Sequence, residues 1–200
     1  MARTTLVTLL LSSSAVLTYI GYRALDLVPV PEAAQIVAAS EPVEMLPEFT
    51  LDNPDGERQS IGSWPGKALI VNFWATWCAP CLREIPLLAE YQETYGERFL
   101  QVVGIAVDHA DPVRAFMAEM EFNYPVLIGR SDAMDAAASF GVEFYGLPFS
   151  VFTDTAGHVL GVHTGELHAG DLDDLIGVLD DLETGATDVS RARARLAGRR

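Results

Sequence analysis

The stretch "NFWATWCAPCLREIP", residues 72–86, contains both cysteines of this 200-residue chain. Cys78 and Cys81 follow an apolar run and precede a segment whose apolar residues recur at helical spacing. A disulfide between them would close a very small loop, which restricts the unfolded chain little and therefore adds little stability. Their placement at this one junction therefore calls for a chemical explanation.

The composition limits the possible partners. Half of the residues are hydrophobic, as expected of a chain that builds a core. Between residues 24 and 190, 28 acidic residues outweigh six basic ones, so this span carries a net charge of −22. Contact with nucleic-acid phosphates requires a basic surface, and we expect no nucleic-acid partner. The acidic surface fits solubility or a saline habitat, and less directly a basic partner.

The N-terminus predicts export. Residues 4–22 follow Arg3 and carry no charge, and a helix of that length approaches the ~30 Å thickness of a membrane core. A cleaved signal peptide has the same layout, but no convincing small-x-small cleavage site follows the run. We interpret residues 1–23 as a signal anchor, with a cleaved signal peptide as the alternative. The expected location is the inner membrane, with the domain in the periplasm or another extracytoplasmic space.

The rest of the chain divides into three parts. Residues 24–45 mix proline, alanine and acids without a stable period and are interpreted as a linker. Residues 46–184 contain the periodic segments and form the predicted domain. Residues 185–200 include five arginines and are predicted to be a disordered or solvated tail, with contact to anionic lipid as a weaker alternative.

The periodicity within residues 46–184 predicts an α/β fold with one mixed sheet flanked by helices. Residues 48–61 predict an N-terminal hairpin, and residues 68–74 and 99–108 predict strands buried on both faces. The remaining elements are helices near residues 78–96, 111–122, 131–142 and 171–183, a short strand at 124–129 and a hairpin over 147–165. Asp111 is the expected N-cap of the second helix, and Gly96 is expected to end the first.

Cys78 is predicted to occupy the N-cap of the helix that begins at Ala79 or Pro80. A sulfur there faces free backbone N–H groups and the positive end of the helix dipole, so we expect a thiol pKa below the free value of about 8.5. Pro80 is tolerated because its missing N–H has no partner in the first turn. Cys81 lies one turn further in and keeps its proton longer. Cys78 is therefore the predicted attacking sulfur, and Cys81 resolves the mixed disulfide.

A metal site fits these residues less well. Zinc needs two more ligands, and no second cysteine pair exists. His158 and His163 would point to opposite faces of a strand, while His109 and His168 are isolated. We expect no metal and no cofactor.

The segment "VNFWATWCAPCLREIP" resembles the active site of the thioredoxin superfamily, and most closely its exported TlpA/ResA-like branch. The resemblance extends from about Leu46 to Glu183 and includes "WCAPC", Glu84 and Pro86. It implies a thioredoxin-like fold with a central βα insertion at residues 99–122, and the N-terminal anchor also fits this branch. Members transfer electrons to disulfides outside the cytoplasm, and some reduce apocytochrome c before haem attachment.

The resemblance implies residue roles. Cys78 and Cys81 match the nucleophilic and resolving cysteines. Glu84 matches an acidic residue three positions after the second cysteine, for which proton shuttling and a solvent-facing carboxylate are alternatives. The loop at positions 147 and 148 matches one whose proline is cis and whose backbone pairs with the substrate. The expected substrate-contacting residues are Trp77, Pro80, Leu147 and Pro148.

Two positions depart from the pattern. Thioredoxins have a buried aspartate where this chain has Asn72, and asparagine cannot accept a proton. Glu84 or water would have to deprotonate Cys81 instead. The residue before the cis proline is often small or β-branched, whereas this chain has Leu147, which bears on substrate preference and redox potential.

The sequence therefore predicts an exported thiol–disulfide oxidoreductase that reduces protein disulfides and is itself reduced by a membrane thiol–disulfide electron donor. A disulfide oxidase or isomerase using the same cysteines is the main alternative, since the C-x-x-C motif does not set the reduction potential. A Cu(I)-binding chaperone is less consistent, because such proteins resemble a C-x-x-x-C pattern. A thiol peroxidase would have threonine in place of Ala75.

Overall fold

The structure, a computed structural model, describes residues 43–120, 122–142 and 146–198. The predicted signal anchor at residues 1–23 and the predicted linker as far as residue 42 lie outside the described residues. Within the described part, no helix has both the length and the apolar character that crossing a membrane requires.

The described residues form an α/β fold with one seven-stranded mixed sheet and five α-helices. Its strands are β1 (Thr50–Asp52), β2 (Arg58–Ser60), β3 (Ala68–Trp74), β4 (Leu100–Val107), β5 (Val126–Gly129), β6 (Phe149–Thr153) and β7 (Val159–Thr164). Its α-helices are α1 (Ala79–Tyr95), α2 (Ala110–Glu119), α3 (Ser131–Ser139), α4 (Ala169–Glu183) and α5 (Val189–Ala197). The strand order is β2-β1-β5-β4-β3-β6-β7, in which β3, β4 and β5 are parallel and the other pairs antiparallel. The α/β class, the mixed sheet, the N-terminal hairpin and the central β4–α2 unit are confirmed.

Strand β3 lies at the centre of this arrangement, between β4 and β6, and all seven of its residues are buried. Its apolar side chains alternate between two cores, because successive residues of a strand point to opposite faces. Ile70 and Trp74 join the core that includes α1, whereas Val71 and Phe73 join the core that includes α3. Asn72 lies on the α1 side of the sheet by the same alternation.

Helix α1 follows β3 after four residues and packs back over the sheet. Its N-cap is Cys78, and its C-cap is Gly96, whose N–H donates to the carbonyl of Gln92 at 2.8 Å. Ile85 and Leu88 are buried on the face toward β3 and β4, at the spacing expected of a helix stripe. The predicted start and end of this helix are therefore confirmed.

The start of α2 differs from the prediction. The helix begins at Ala110, and its N-cap is His109 rather than Asp111. Asp111 lies in the first turn, where its carboxylate is 2.8 Å from the guanidinium of Arg114. An acidic residue is favourable in either place because both are near the positive end of the helix dipole.

Residues just before the predicted domain boundary at Leu46 already belong to the sheet. Met45 forms an antiparallel bridge with His158, and the Glu44 carbonyl accepts a hydrogen bond of 2.9 Å from the Val159 N–H. The ordered domain therefore begins within the segment interpreted as linker, since the edge of β7 supplies partners for its backbone.

The prediction of a disordered tail at residues 185–200 is wrong for its central part, which forms α5. Asp188 caps the N-terminus of this helix. Val189, Ala192 and Leu196 recur at helical spacing and pack against the core on the side of β7 and α4. Because this short apolar stripe lies among arginines, the composition of the segment suggests a solvated tail and hides the helix.

The arginines of α5 bind the protein itself. Arg193 donates to the backbone carbonyls of Val159 at 2.8 Å and Glu44 at 3.0 Å. Arg195 pairs with Asp181 of α4 at 2.7 Å. These contacts hold α5 across the outer edge of β7, where unpaired backbone groups would otherwise be accessible to another chain.

We predict that Arg193→Ala lowers the free energy of unfolding by about 2 kcal/mol, because two carbonyls lose a charged hydrogen-bond donor. Urea denaturation measures this loss. The control is Arg191→Ala, since Arg191 is exposed and contacts Asp188 at 3.6 Å; its effect should stay within about 0.5 kcal/mol. Equal losses in both variants would contradict the role given to the Arg193 contacts.

Candidate active site

Cys78 and Cys81 form a disulfide at the N-terminus of α1. Cys78 has the extended backbone of an N-cap residue, and Pro80 occupies the first turn, as predicted. Cys81 is fully buried, and Cys78 is 5% exposed. After reduction, the Cys78 sulfur would lie at the positive end of the helix dipole, whereas Cys81 would remain within the core.

Glu84 lies on the buried face of α1, and only 1% of it is exposed. It follows Cys81 by three positions, so the two side chains are neighbours on the helix surface. Its Oε1 atom accepts a hydrogen bond of 2.7 Å from Asn72 Nδ2, and Oε2 accepts one of 2.6 Å from the backbone N–H of Leu167. The alternative of a solvent-facing carboxylate is therefore wrong.

Burial raises the pKa of Glu84 from 4.5 to about 6, because the ionised carboxylate loses its hydration. The hydrogen bonds from Leu167 and Asn72 oppose this effect by stabilising the carboxylate. The charge of Glu166 raises the pKa further, and His168 lowers it. With this pKa, Glu84 is mainly ionised at pH 7 and can accept a proton from a nearby donor.

Asn72 and Ser150 form a polar pair beneath Glu84. They face each other on β3 and β6, and both are fully buried. Asn72 Nδ2 donates to Ser150 Oγ at 2.9 Å as well as to Glu84. Asparagine cannot change its charge, so within this polar cluster Glu84, one helical turn after Cys81, is the group that can take up a proton.

The Leu147–Pro148 peptide bond is cis, as the resemblance implies. Strand β6 begins at Phe149, which pairs with Phe73 near the end of β3. Pro148 therefore lies at the edge of the sheet from which the chain continues to Cys78. Leu147 is half-buried and packs against the core cluster that contains both cysteines.

The rim of the site combines an apolar side chain with an ion pair. Trp77 is 69% exposed, more than any other large hydrophobic residue of the described chain, and Pro80 is half-buried. Arg83 of α1 forms an ion pair with Glu166, and its hydrogen bond to Glu166 lowers the pKa of that carboxyl. This pair links α1 to the loop that supplies the Leu167 N–H.

Asp108 anchors the loop between β3 and α1. Its Oδ2 atom accepts hydrogen bonds from the backbone N–H and the hydroxyl of Thr76, and Oδ1 accepts one from the His109 N–H. Burial acts to raise the pKa of Asp108, but these hydrogen bonds outweigh it and lower the pKa overall. A carboxylate from the end of β4 thus fixes the residues immediately before Cys78.

Within the described residues, no group of three or more histidine, cysteine or acidic side chains is arranged to hold a metal ion. His158 Nδ1 lies 2.8 Å from Asp154 Oδ2, and His168 is the N-cap of α4. His158 is thus engaged with Asp154, and His168 with the first turn of α4.

Sequence reasoning missed three contributors to the site. Ser150 and the Leu167 N–H carry no recognisable signal, because their role depends on which segments the fold brings under Glu84. Asp108 could have been found, since a carboxylate directly after a buried parallel strand lies at the edge where such sheets place their sites. The sequence shows that Asn72 cannot accept a proton, but it carries no signal for the hydrogen bond from Asn72 to Glu84.

Comparison with known proteins shows what the chain is similar to. The Redoxin family profile matches residues 41–179. The thioredoxin-like protein YneN of Bacillus subtilis (strain 168) is 32% identical over 128 residues, which cover 62% of this chain and 72% of YneN. The thiol-disulfide oxidoreductase ResA of the same strain is 27% identical over 143 residues, which cover 69% of this chain and 75% of ResA. The solved structure of a thiol:disulfide interchange protein of the thioredoxin family from Chlorobium tepidum TLS has a TM-score of 0.61 and 34% identity, over 70% of this chain and 97% of that one.

We predict that Glu84 makes the protein less stable as the pH rises. Its pKa is about 6 in the folded state and 4.5 when exposed, so ionisation costs the folded state about 2 kcal/mol that the unfolded state does not lose. The free energy of unfolding should therefore fall by about this amount, relative to Glu84→Gln, between pH 4 and pH 7.5. Urea denaturation of both proteins at the two pH values measures the difference, and parallel pH profiles would contradict it.

Proposed function

Because the chain belongs to the Redoxin family, as a ResA-like member of the thioredoxin superfamily, we propose that it reduces protein disulfides outside the cytoplasm. It is a thiol–disulfide oxidoreductase with a Cys78–Cys81 redox pair. The observation that carries the proposal is the position of this pair: one sulfur is at a helix N-terminus, and the other is buried beside an ionisable carboxylate.

In the first proposed step, the thiolate of Cys78 attacks one sulfur of a target disulfide. A bond forms between Cys78 and that sulfur, the target disulfide breaks, and the second target sulfur leaves as a thiolate. The free N–H groups and the dipole of α1 stabilise the attacking thiolate. Cys78 is the attacking residue because Cys81 is enclosed by the core.

In the second proposed step, Cys81 resolves the mixed disulfide. Glu84 takes the proton of the Cys81 thiol, and the resulting thiolate attacks the Cys78 sulfur. The Cys78–Cys81 bond forms and the first target sulfur leaves as a thiolate, so the target gains two electrons and the protein pair loses two. Cys81 and Glu84 are both buried, so a base within the protein such as Glu84 is needed for the proton.

The electrostatics favour the reducing direction. Strongly oxidising dithiols owe their high potential to a stabilised reduced thiolate. Here the ionised Glu84 places a negative charge near Cys81, which keeps the reduced Cys81 in its neutral thiol form. The reduced pair therefore gains thiolate stabilisation only at Cys78 and gives up its electrons more readily than a pair in which both thiolates are stabilised.

Substrate contact is proposed for the exposed face around Cys78. Trp77 offers an apolar surface to a polypeptide, and Pro80 lies one turn from it. Leu147 and Pro148 lie at the same edge of the sheet and are proposed to line the path of the substrate backbone. The partner class is an unfolded or flexible protein that carries an accessible disulfide, including an apocytochrome c before haem attachment.

The proposed location of the protein rests on its N-terminal sequence. Residues 1–23 would anchor the protein in the inner membrane and leave the domain in the periplasm or another extracytoplasmic space. A dithiol that acts there as a reductant needs electrons from the cytoplasmic side. We therefore include a membrane thiol–disulfide electron donor, which would reduce Cys78–Cys81 after each turnover.

We predict that Cys81→Ala traps substrate proteins on Cys78, because the mixed disulfide then has no resolving thiol. Non-reducing electrophoresis should show adducts that disappear after treatment with dithiothreitol. Cys78→Ser is the matched control: it should form no adducts and should reduce insulin disulfides at the background rate. Full insulin reductase activity in Cys78→Ser would mean that the roles of the two cysteines are assigned wrongly.

The reduction potential tests the direction of transfer. We expect equilibration with glutathione to place the Cys78–Cys81 pair near the value of thioredoxin, about −270 mV, and Glu84→Gln to raise it because a negative charge is removed. A wild-type potential near about −120 mV would indicate a disulfide oxidase instead. Mass spectrometry after alkylation measures the reduced fraction in each buffer.

A further inference from the structure

The buried amide of Asn72 has one atom that the proposed reaction leaves unused. Both hydrogens of Nδ2 are engaged, one with Glu84 Oε1 at 2.7 Å and one with Ser150 Oγ at 2.9 Å. The Oδ1 atom of the same amide is buried and has no hydrogen-bond partner among residues 43–120, 122–142 and 146–198. Buried acceptors without a partner are uncommon, so this one needs a reason.

The two donors that hold Glu84 differ in what they can do. The N–H of Leu167 belongs to the backbone just before α4, so it remains a donor in every state. The amide of Asn72 can turn by 180° about its Cβ–Cγ bond and present an acceptor where it now presents a donor. The described orientation suits an ionised Glu84, in which both oxygens accept.

A protonated Glu84 changes this requirement, because its O–H is a donor that needs an acceptor in a buried place. If the proton is on Oε2, it faces the fixed N–H of Leu167. If it is on Oε1, it faces Asn72, whose Oδ1 atom can reach it after the half-turn. The hydroxyl of Ser150 can both accept and donate, so it stays paired with the amide in either orientation.

We propose that Asn72 is a two-position amide that follows the protonation of Glu84, donating from Nδ2 to the carboxylate and accepting the O–H at Oδ1 once the proton has arrived. This inference rests on the proposed uptake of the Cys81 proton by Glu84. Asn72 is a positioning residue: the proton stays on Glu84, and no bond to Asn72 forms. An aspartate here would compete for the proton, whereas an amide leaves Glu84 as the single carboxylate involved.

Other titratable groups lie around Glu84, and the test must distinguish their titration from that of Glu84. Glu166 raises the pKa of Glu84, and His168 lowers it. Burial raises the pKa of Tyr124, and the charge of Glu84 adds to this effect. Cys81 is bonded in the disulfide, so the oxidised protein is the simpler state for the test. A pH-dependent change that disappears when the Glu84 carboxylate is removed distinguishes Glu84 from these neighbouring groups.

The test is an NMR titration of the oxidised, 13C- and 15N-labelled protein from pH 4 to pH 8. The Asn72 side-chain 15N signal should move with the same midpoint as the Glu84 Cδ signal. The scalar coupling between Asn72 Nδ2 and Glu84 Cδ, which is transmitted through the hydrogen bond to Oε1, should be present above the Glu84 midpoint and lost below it. In Glu84→Gln the pH dependence of the Asn72 signal should disappear. A coupling that persists on both sides of the midpoint would overturn the inference, because Asn72 would then be a fixed donor.

A second experiment measures the Glu84 midpoint in variants of Asn72. Asn72→Leu should raise the Glu84 midpoint by about one pH unit, because a hydrogen bond to a carboxylate is stronger than one to a neutral acid. If Asn72→Leu does not fold, Asn72→Asp replaces it, since aspartate has the same side-chain shape as asparagine. The second carboxylate would share a proton with Glu84 and should also raise the Glu84 midpoint. The control is Thr153→Val, since Thr153 is an equally buried hydroxyl of β6 that accepts from the Leu69 N–H instead. An unchanged midpoint in a folded Asn72 variant would contradict the inference.

The reduced protein separates this inference from the proposed function. In Cys78→Ser, the rate of Cys81 alkylation should follow the Glu84 midpoint and lose that dependence when Glu84→Gln is added. If the amide turns in the oxidised protein but Cys81 reacts independently of Glu84, the inference about Asn72 stands and the proposed proton acceptor is wrong. If the amide does not turn, the roles of Cys78 and Cys81 are unaffected.

Discussion

The burial of β3 on both faces is the constraint on which the redox site depends. A strand enclosed by two cores cannot shift its register without moving an apolar set out of each core. The end of β3 therefore has a fixed place, and the four residues after it deliver Cys78 to the N-terminus of α1. The same rigid strand holds Asn72 beneath that helix. The positions of the site residues are thus fixed by the packing around β3 rather than by the loop that precedes Cys78.

Two opposed electrostatic environments lie within one turn of α1. The helix N-terminus favours negative charge at Cys78, whereas burial and the carboxylate of Glu84 disfavour it at Cys81. A dithiol with equal environments would have no preferred attacking sulfur. In the proposed mechanism, this difference orders the reaction: the outer sulfur reacts with the target, and the inner sulfur attacks only when its proton has an acceptor.

The contacts of Glu84 also connect the site to the part of the domain near the edge strand β7. The Leu167 N–H comes from the segment between β7 and α4, and α5 packs across β7 beyond it. The pair between Arg83 and Glu166 joins the same segment to α1 from the surface. The C-terminal part of the domain therefore contributes to the environment of the carboxylate, although it is distant in sequence from the cysteines.

The sequence by itself determined the strand–helix junction, the N-cap position of Cys78, the order of the main elements and the family, because these depend on local periodicity, capping residues and a contiguous motif. Glu84 could be named as a candidate, but its burial could not be predicted, since α1 alone does not show what covers that face. Only the tertiary structure decided that Asn72, Ser150 and the Leu167 N–H meet at Glu84, and that α5 is ordered. Those outcomes depend on contacts between segments 12 to 149 residues apart, and no local pattern encodes which distant segments a fold brings together.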